Sequence, residues 1–252
     1  MPVMKCDDGE IHYELRGEGF PVLCLAAGAM RSAANFWPPR PDRIFPWADW
    51  PTALEPHYQA VVMDQRNAGG SRATIEADHG WHTFAADQIA LMDHLGHERF
   101  HVIGVCIGGS FGLRLCDEVP DRVAAQVLPQ PIGFDPDHAD HFTTMFGGWA
   151  KEILAARPDL DADKVAALGR NLMAADTPTG DFVYSVTRDA VRNCKVPTLL
   201  MPGGDPAHPR ATADELRELL PNAEWLEHWE CPDYERDQIE TGLAFLAKHT
   251  PG

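Results

Sequence analysis

Short apolar runs, each closed by glycine or a polar cluster, set the rhythm of this chain. "EIHYELRG" (residues 10–17) alternates apolar and polar positions through Ile11, Tyr13 and Leu15, as an early edge strand with one wet face does. "PVLCLAAG" (21–28), "YQAVVMDQR" (58–66), "FHVIGV" (100–105), "VAAQVLP" (123–129) and "VPTLLMPGG" (196–204) are instead continuous apolar runs that end in small or polar residues, the form of strands buried on both faces. Between them the period lengthens to that of helices. Residues 83–95 place Ala85, Ile89, Met92 and Leu95 on one face, residues 211–220 read the same way, and residues 234–248 do so through Ile239, Leu243 and Leu246. Strands alternating with helices predict a mostly parallel central sheet with helices on both faces.

Two stretches break the rhythm. Residues 31–52 gather three of the seven tryptophans with prolines and arginines, too aromatic for a disordered loop and too long for an idle one. Residues 134–192 carry mixed helical patterns and no clear buried strand. The expected organisation is an α/β core of residues 1–133 and 193–252, with 134–192 inserted as a small helical cap.

The 252 residues suit one large domain, and 44% hydrophobic with 23% charged residues is ordinary for a folded chain. No apolar run nears the roughly 20 residues that cross a bilayer, and the first residues lack the basic and apolar segments of a secretory signal. A net charge of −17 repels nucleic acid and anionic membranes, which removes both as expected partners. Six cysteines (6, 24, 106, 116, 194, 231) show no close pairing, so reduced thiols in a cytoplasmic protein are the expectation.

One of those cysteines stands apart. "VIGVCIGGSFG" (102–112) runs from a strand through Cys106 into a helix beginning near Ile107, giving G-x-C-x-G-G at a strand-to-helix corner. A residue at such a corner has a strained backbone, and Gly104 and Gly108 relieve the crowding on either side. A helix N-terminus offers free amides and partial positive charge, both of which favour thiolate. Cys106 is therefore the candidate nucleophile rather than a packing cysteine.

With that corner in view, the chain resembles the α/β-hydrolase superfamily. "DGEIHYELRGEGFPVLCLAAG" looks like the family's opening hairpin and first central strand. "MDQRNAGGSRA" looks like its D-x-R-G-x-G-x-S turn, with Asn67 and Ala68 as departures. "VPTLLMPGGDPAHP" looks like the strand that delivers its acid. A cysteine in G-x-C-x-G-G is shared with dienelactone hydrolases and polyhydroxyalkanoate synthases, while the rest is closer to the epoxide-hydrolase and esterase branch.

The resemblance implies an acid at Asp205 and a histidine in the loop after the last strand. That loop, "CPDYERD" after "AEWLEHWE", has none. Two histidines stay open: His208, three residues after Asp205, and His228, inside the expected last strand. If His208 is the base, Asp205 lies close to it in sequence, and Asp135 becomes an alternative orienting acid. The oxyanion donors would be the amides of Ile107 and Ala29. The aromatic excursion and the cap would roof the pocket, with Trp37, Met145, Phe146 and Trp149 lining it and Arg31, Arg40 or Arg43 facing a substrate carboxylate. His138 and His141 in "DPDHADHF" suit the start of an insertion helix better than a metal, and no metal is expected.

The expected function is hydrolysis of a carboxylic ester, thioester or lactone through an acyl-cysteine on Cys106, which needs no cofactor. The same intermediate would serve an acyltransferase, and a non-catalytic binding member of the fold is the rival from another class. The expected partner is a small acyl substrate, and a homodimer is compatible with the chain.

Overall fold

A computed structural model describes residues 1–39, 45–174 and 177–252. Strands β1 (Val3–Cys6), β2 (Gly9–Arg16), β3 (Pro21–Leu25), β4 (Gln59–Met63) and β5 (Arg72–Ala73) precede β6 (Phe100–Gly104), β7 (Val123–Pro129), β8 (Thr198–Met201) and β9 (Ala223–Trp225). They form one sheet in the order β1-β2-β4-β3-β6-β7-β8-β9, with β5 beside β2. β2 runs antiparallel to both of its neighbours in that order, and from β4 to β9 every pairing is parallel.

The helices are α1 (Trp50–Leu54), α2 (Trp81–His94), α3 (Ile107–Glu118), α4 (His141–Ala156), α5 (Ala162–Met173), α6 (Arg188–Asn193), α7 (Arg210–Leu219) and α8 (Glu235–His249). The strand period of two divides the core cleanly. Leu23, Leu25, Val61, Met63 and Val102 point to the face covered by α2 and α3, whereas Val22, Cys24, Ala60, Val62 and Ile103 point to the face covered by α1 and α8. Continuous apolar runs were needed because both faces are dry. Helices α4, α5 and α6 fill the stretch between β7 and β8, where the apolar pattern held no strand.

Two helical faces differ from the apolar pattern, and the reason is buried polarity. In α2 the buried set is Trp81, Phe84, Ala85, Asp87, Gln88, Leu91 and Met92, leaving Ile89 and Leu95 only partly covered. Asp87 is buried because it receives both Nε and Nη2 of Arg66, at 2.9 and 2.8 Å, while Asp8 takes Nη1 at 2.6 Å. Gln88 donates to Gln65 at 3.2 Å. In α8 the buried set is Gln238, Gly242, Phe245 and Leu246, one residue round from the expected stripe. Asp87 and Gln238 have their polar atoms met and Gln88 is met at Nε2, which lowers the cost of placing them on the inner face.

The "MDQRNAGGSRA" turn is held by Asp64, whose carboxylate accepts from the amides of Ala34 and Gly70 at 2.8 and 2.7 Å. It joins the start of the aromatic excursion to the end of β4 and so fixes the floor from which the pocket wall rises. Among the described residues no helix is long and apolar enough to cross a membrane.

Candidate active site

β6 delivers Cys106 to the carboxyl edge of the sheet. The residue has φ 59° and ψ −120° as it caps α3, a backbone that only a well-braced turn sustains. The brace is close packing: a Cβ on Gly104 would overlap the Gly108 carbonyl, and a Cβ on Gly108 would overlap the Leu25 carbonyl. The Cys106 amide donates to Pro129 at the end of β7 at 3.1 Å. The thiol is half-buried and opens into a pocket of about 490 Å³.

β8 brings the acid and the base together on one turn. The Asp205 carboxylate accepts from the amides of Ala207 and His208 at 2.8 and 3.1 Å, and this local curl brings the ring of His208 back over the same carboxylate. His208 Nδ1 then lies 2.9 Å from both carboxylate oxygens. Closeness in sequence is thus no obstacle to orientation. Nε2 is buried with no hydrogen-bond partner among the described residues, and the ring is close enough to Cys106 for the sulfur's charge to act on it.

Charge in this cluster is coupled. Burial pushes the Cys106 thiol up, but His208 and the amides of Ile107 and Gly28 outweigh it and hold the thiol below its ordinary value. Burial pushes the His208 imidazolium down, yet the facing Cys106 charge and the Asp205 carboxylate lift it to about 10. The hydrogen bond from His208 draws Asp205 down to about 2. The three shifts run in the directions that favour a thiolate–imidazolium pair beside an ionised carboxylate.

Gly203 makes room for the turn, since a Cβ there would overlap both Cβ and the carbonyl of His208. Gly203→Ala is expected to displace the imidazole by an ångström or so and slow thiol acylation about 10²-fold. Stopped-flow acylation alongside far-ultraviolet circular dichroism, which should stay unchanged, checks this.

The structure separates the remaining sequence candidates. β9 stops at Trp225, so His228 lies in the loop after the last strand and not inside it, but it does not line the Cys106 pocket; its exposed ring stacks on Tyr234 at 5.3 Å. Asp135 is engaged elsewhere, capping a short turn and binding His138 Nδ1 at 2.8 Å. The amide beside the sulfur belongs to Gly28, not Ala29, which lines the pocket one residue further on.

Met145 lines the pocket, but Phe146 packs over Gly169 of α5, and Trp149 borders a neighbouring cavity with Arg31, Asn67 and Glu152. Trp37 turns inward and is 1% exposed. Arg31 lines the pocket with its guanidinium bound to Glu152 at 2.7 Å, while Arg40 and Arg43 lie outside the described residues.

The aromatic excursion borders the pocket through Phe36, Phe45, Pro46 and Trp47, residues that sequence reasoning did not single out, together with His141, Phe142 and Met145 of α4. Phe45 and Trp47 stack at 4.5 Å. The segment is pinned from α8: Gln238 Oε1 accepts from the Ala48 amide at 2.8 Å, and its Nε2 donates to the carbonyls of Trp229 and Pro46 at 2.6 and 3.3 Å. Trp229, expected inside the last strand, lies in the loop after β9, is buried and donates to the Pro202 carbonyl at 2.8 Å. The signal was present in Gln238, a polar residue on an apolar face.

Residues 21–175 match the sequence profile of the α/β hydrolase fold, and the chain belongs to that family. It is 30% identical over 118 residues to a Variovorax paradoxus protein named "Putative carbamate hydrolase RutD", covering 47% of this chain and 41% of that one. It is 27% identical over 228 residues to a protein of the same name from Pseudomonas savastanoi pv. phaseolicola, covering 81% and 83%. The first of these alignments thus spans under half of the relative's length. A meta-cleavage product hydrolase from Pseudomonas fluorescens shares the fold with a TM-score of 0.70 over 96% of each chain at 17% identity.

Proposed function

We propose that this chain hydrolyses a carboxylic acid derivative through an acyl-cysteine on Cys106, with His208 as the proton carrier and Asp205 as its orienting acid. The observation that carries the reading is the paired His208: Nδ1 fixed by a carboxylate at 2.9 Å and Nε2 left for the sulfur. The Cys106 thiolate attacks the substrate carbonyl carbon, and the carbonyl oxygen takes the negative charge between the amides of Ile107 and Gly28. As the tetrahedral intermediate collapses, His208 gives its Nε2 proton to the departing oxygen, sulfur or nitrogen.

Acylation removes the sulfur's charge, which is the largest influence lifting the His208 imidazolium. The ring therefore becomes less basic in the acyl-enzyme and stays neutral, ready to take a proton from water. Water attacks the thioester carbonyl, the acid departs, and the proton returns to His208 as thiolate re-forms. No step needs a metal or a redox partner. Esters, thioesters and lactones all fit this sequence, and the relatives' name adds carbamates, whose carbonyl carbon is attacked in the same way.

The pH dependence tests the reading. Acylation needs the ion pair, so its rate is expected to plateau between the depressed thiol value and about 10. It should fall toward acid as the depressed thiol takes up a proton, and again above about 10 as His208 loses its own. Deacylation needs neutral His208, so its rate should rise with pH through a midpoint below about 10. Single-turnover kinetics separates the two limbs. An acylation rate that climbs only above pH 9 in the manner of a free thiol would remove the ion pair from the mechanism.

A further inference from the structure

We propose that Gln130 is a specificity residue whose carboxamide contacts the acyl part of the substrate and selects for a neutral polar group there, an amide, carbamate or hydroxyl. The inference deepens the acyl-cysteine reading and rests on it. Gln130 follows Pro129, the residue whose carbonyl receives the Cys106 amide at 3.1 Å, so β7 places it beside the corner that holds the sulfur. It lines the same pocket as Cys106, His208, Phe142 and Met145.

Its side chain is the exception among its kind. Gln65, Gln88, Gln126, Gln130 and Gln238 are all buried. Gln65 and Gln88 bind each other, Gln126 donates to Thr198 at 2.9 Å, and Gln238 holds the pocket wall. The Gln130 carboxamide makes no hydrogen bond within the protein among the described residues; the residue is 4% exposed, and its carboxamide atoms are not among the fully buried unpartnered ones, so they keep access to the pocket the residue lines. Gln65 Nε2, Gln88 Oε1 and Gln126 Oε1 are also unpartnered, but those atoms are fully buried, whereas the Gln130 carboxamide is open to the pocket.

The backbone adds a second, independent sign. Gln130 has φ +40°, in the left-handed region that non-glycine residues seldom occupy. It is held there by its own amide, which donates to Met201 at the end of β8 at 2.8 Å. Strain of this kind persists where the surroundings fix a side chain for a purpose. The purpose available here is recognition. A carboxamide has both a donor and an acceptor, so it matches a group with the same pair. A hydrocarbon at that place leaves it unsatisfied.

The test compares two aryl esters of nearly equal shape, N-acetylglycyl and 4-methylpentanoyl, which differ in having an amide or a hydrocarbon beyond the scissile carbonyl. The wild type is expected to favour the N-acetylglycyl ester about 10- to 100-fold in kcat/KM, the discrimination an unmet buried hydrogen bond imposes. Gln130→Met, of similar volume, should bring that ratio near unity, with the loss on the amide ester appearing in KM as well as kcat. Gln130→Asn keeps the carboxamide but withdraws it by one methylene and should give an intermediate ratio.

The ratio is insensitive to a general loss of folded protein, which would lower both esters together. Equal falls for both esters, or a wild-type ratio retained in Gln130→Met, would overturn the assignment. Cys106→Ala in the same assay reads the nucleophile separately: if it still turns over both esters at the wild-type rate, the acyl-cysteine reading fails, whatever the ratio shows.

Discussion

Cys106→Ala is expected to abolish the covalent adduct that an activated aryl ester leaves on the wild-type chain, and to lower turnover about 10⁵- to 10⁶-fold, the scale on which triad nucleophiles act. Position sets Cys106 apart as much as chemistry does. Cys24 and Cys116 are buried in the two core layers, whereas Cys106 alone among the six cysteines lines the pocket with an imidazole and two amides at its sulfur. Intact-mass spectrometry after brief exposure to the ester counts the adducts directly. A full adduct on the alanine variant would move the chemistry to another residue and remove the corner from the mechanism.

The second large effect divides two histidines. His208→Ala should slow acylation by about 10²–10⁴, the usual contribution of a positioned acid–base group. His228→Ala should leave the rate at the wild-type level, since its ring lies on Tyr234 away from the sulfur. Two losses are combined in the first variant. The thiol no longer has the cation that keeps it ionised, and the leaving group no longer has its proton donor. Raising the pH should restore the first but not the second, so recovery of His208→Ala at alkaline pH is expected to be partial. Single-turnover rates across pH for both variants decide the matter. Equal rates in the two variants would contradict the assignment of the base.

How far the sequence carried this picture depended on what kind of signal each feature leaves. The buried strands announced themselves as apolar runs because both faces of the sheet are dry, and the corner announced itself because only glycines tolerate the close approach at positions 104 and 108. The pairing of Asp205 with His208 left only a faint signal. Its geometry comes from an aspartate curling its own backbone, which a spacing of three residues permits without demanding.

The pocket wall was mostly hidden. Trp37 and Trp47 are equally apolar in the sequence, and only the anchoring of residues 46–48 by Gln238, a residue some 190 positions away, turns Trp47 to the pocket while Trp37 goes to the core. On α4 the same blindness applied: Phe146 packs onto Gly169 of α5, whereas Met145, one position earlier, lines the pocket. The turn after β3 was evident, but the φ of 114° that carries Gly28 through it was not.

The central claim is a sulfur held as thiolate by an imidazolium that a carboxylate secures. Thiolate absorbance in the far ultraviolet, titrated for the wild type and for Cys106→Ala, isolates Cys106 by difference from the other cysteines. The expected midpoint lies below the ordinary thiol value and moves up toward it when His208 is replaced by alanine. A midpoint already at that ordinary value, and unmoved by loss of His208, would contradict the account.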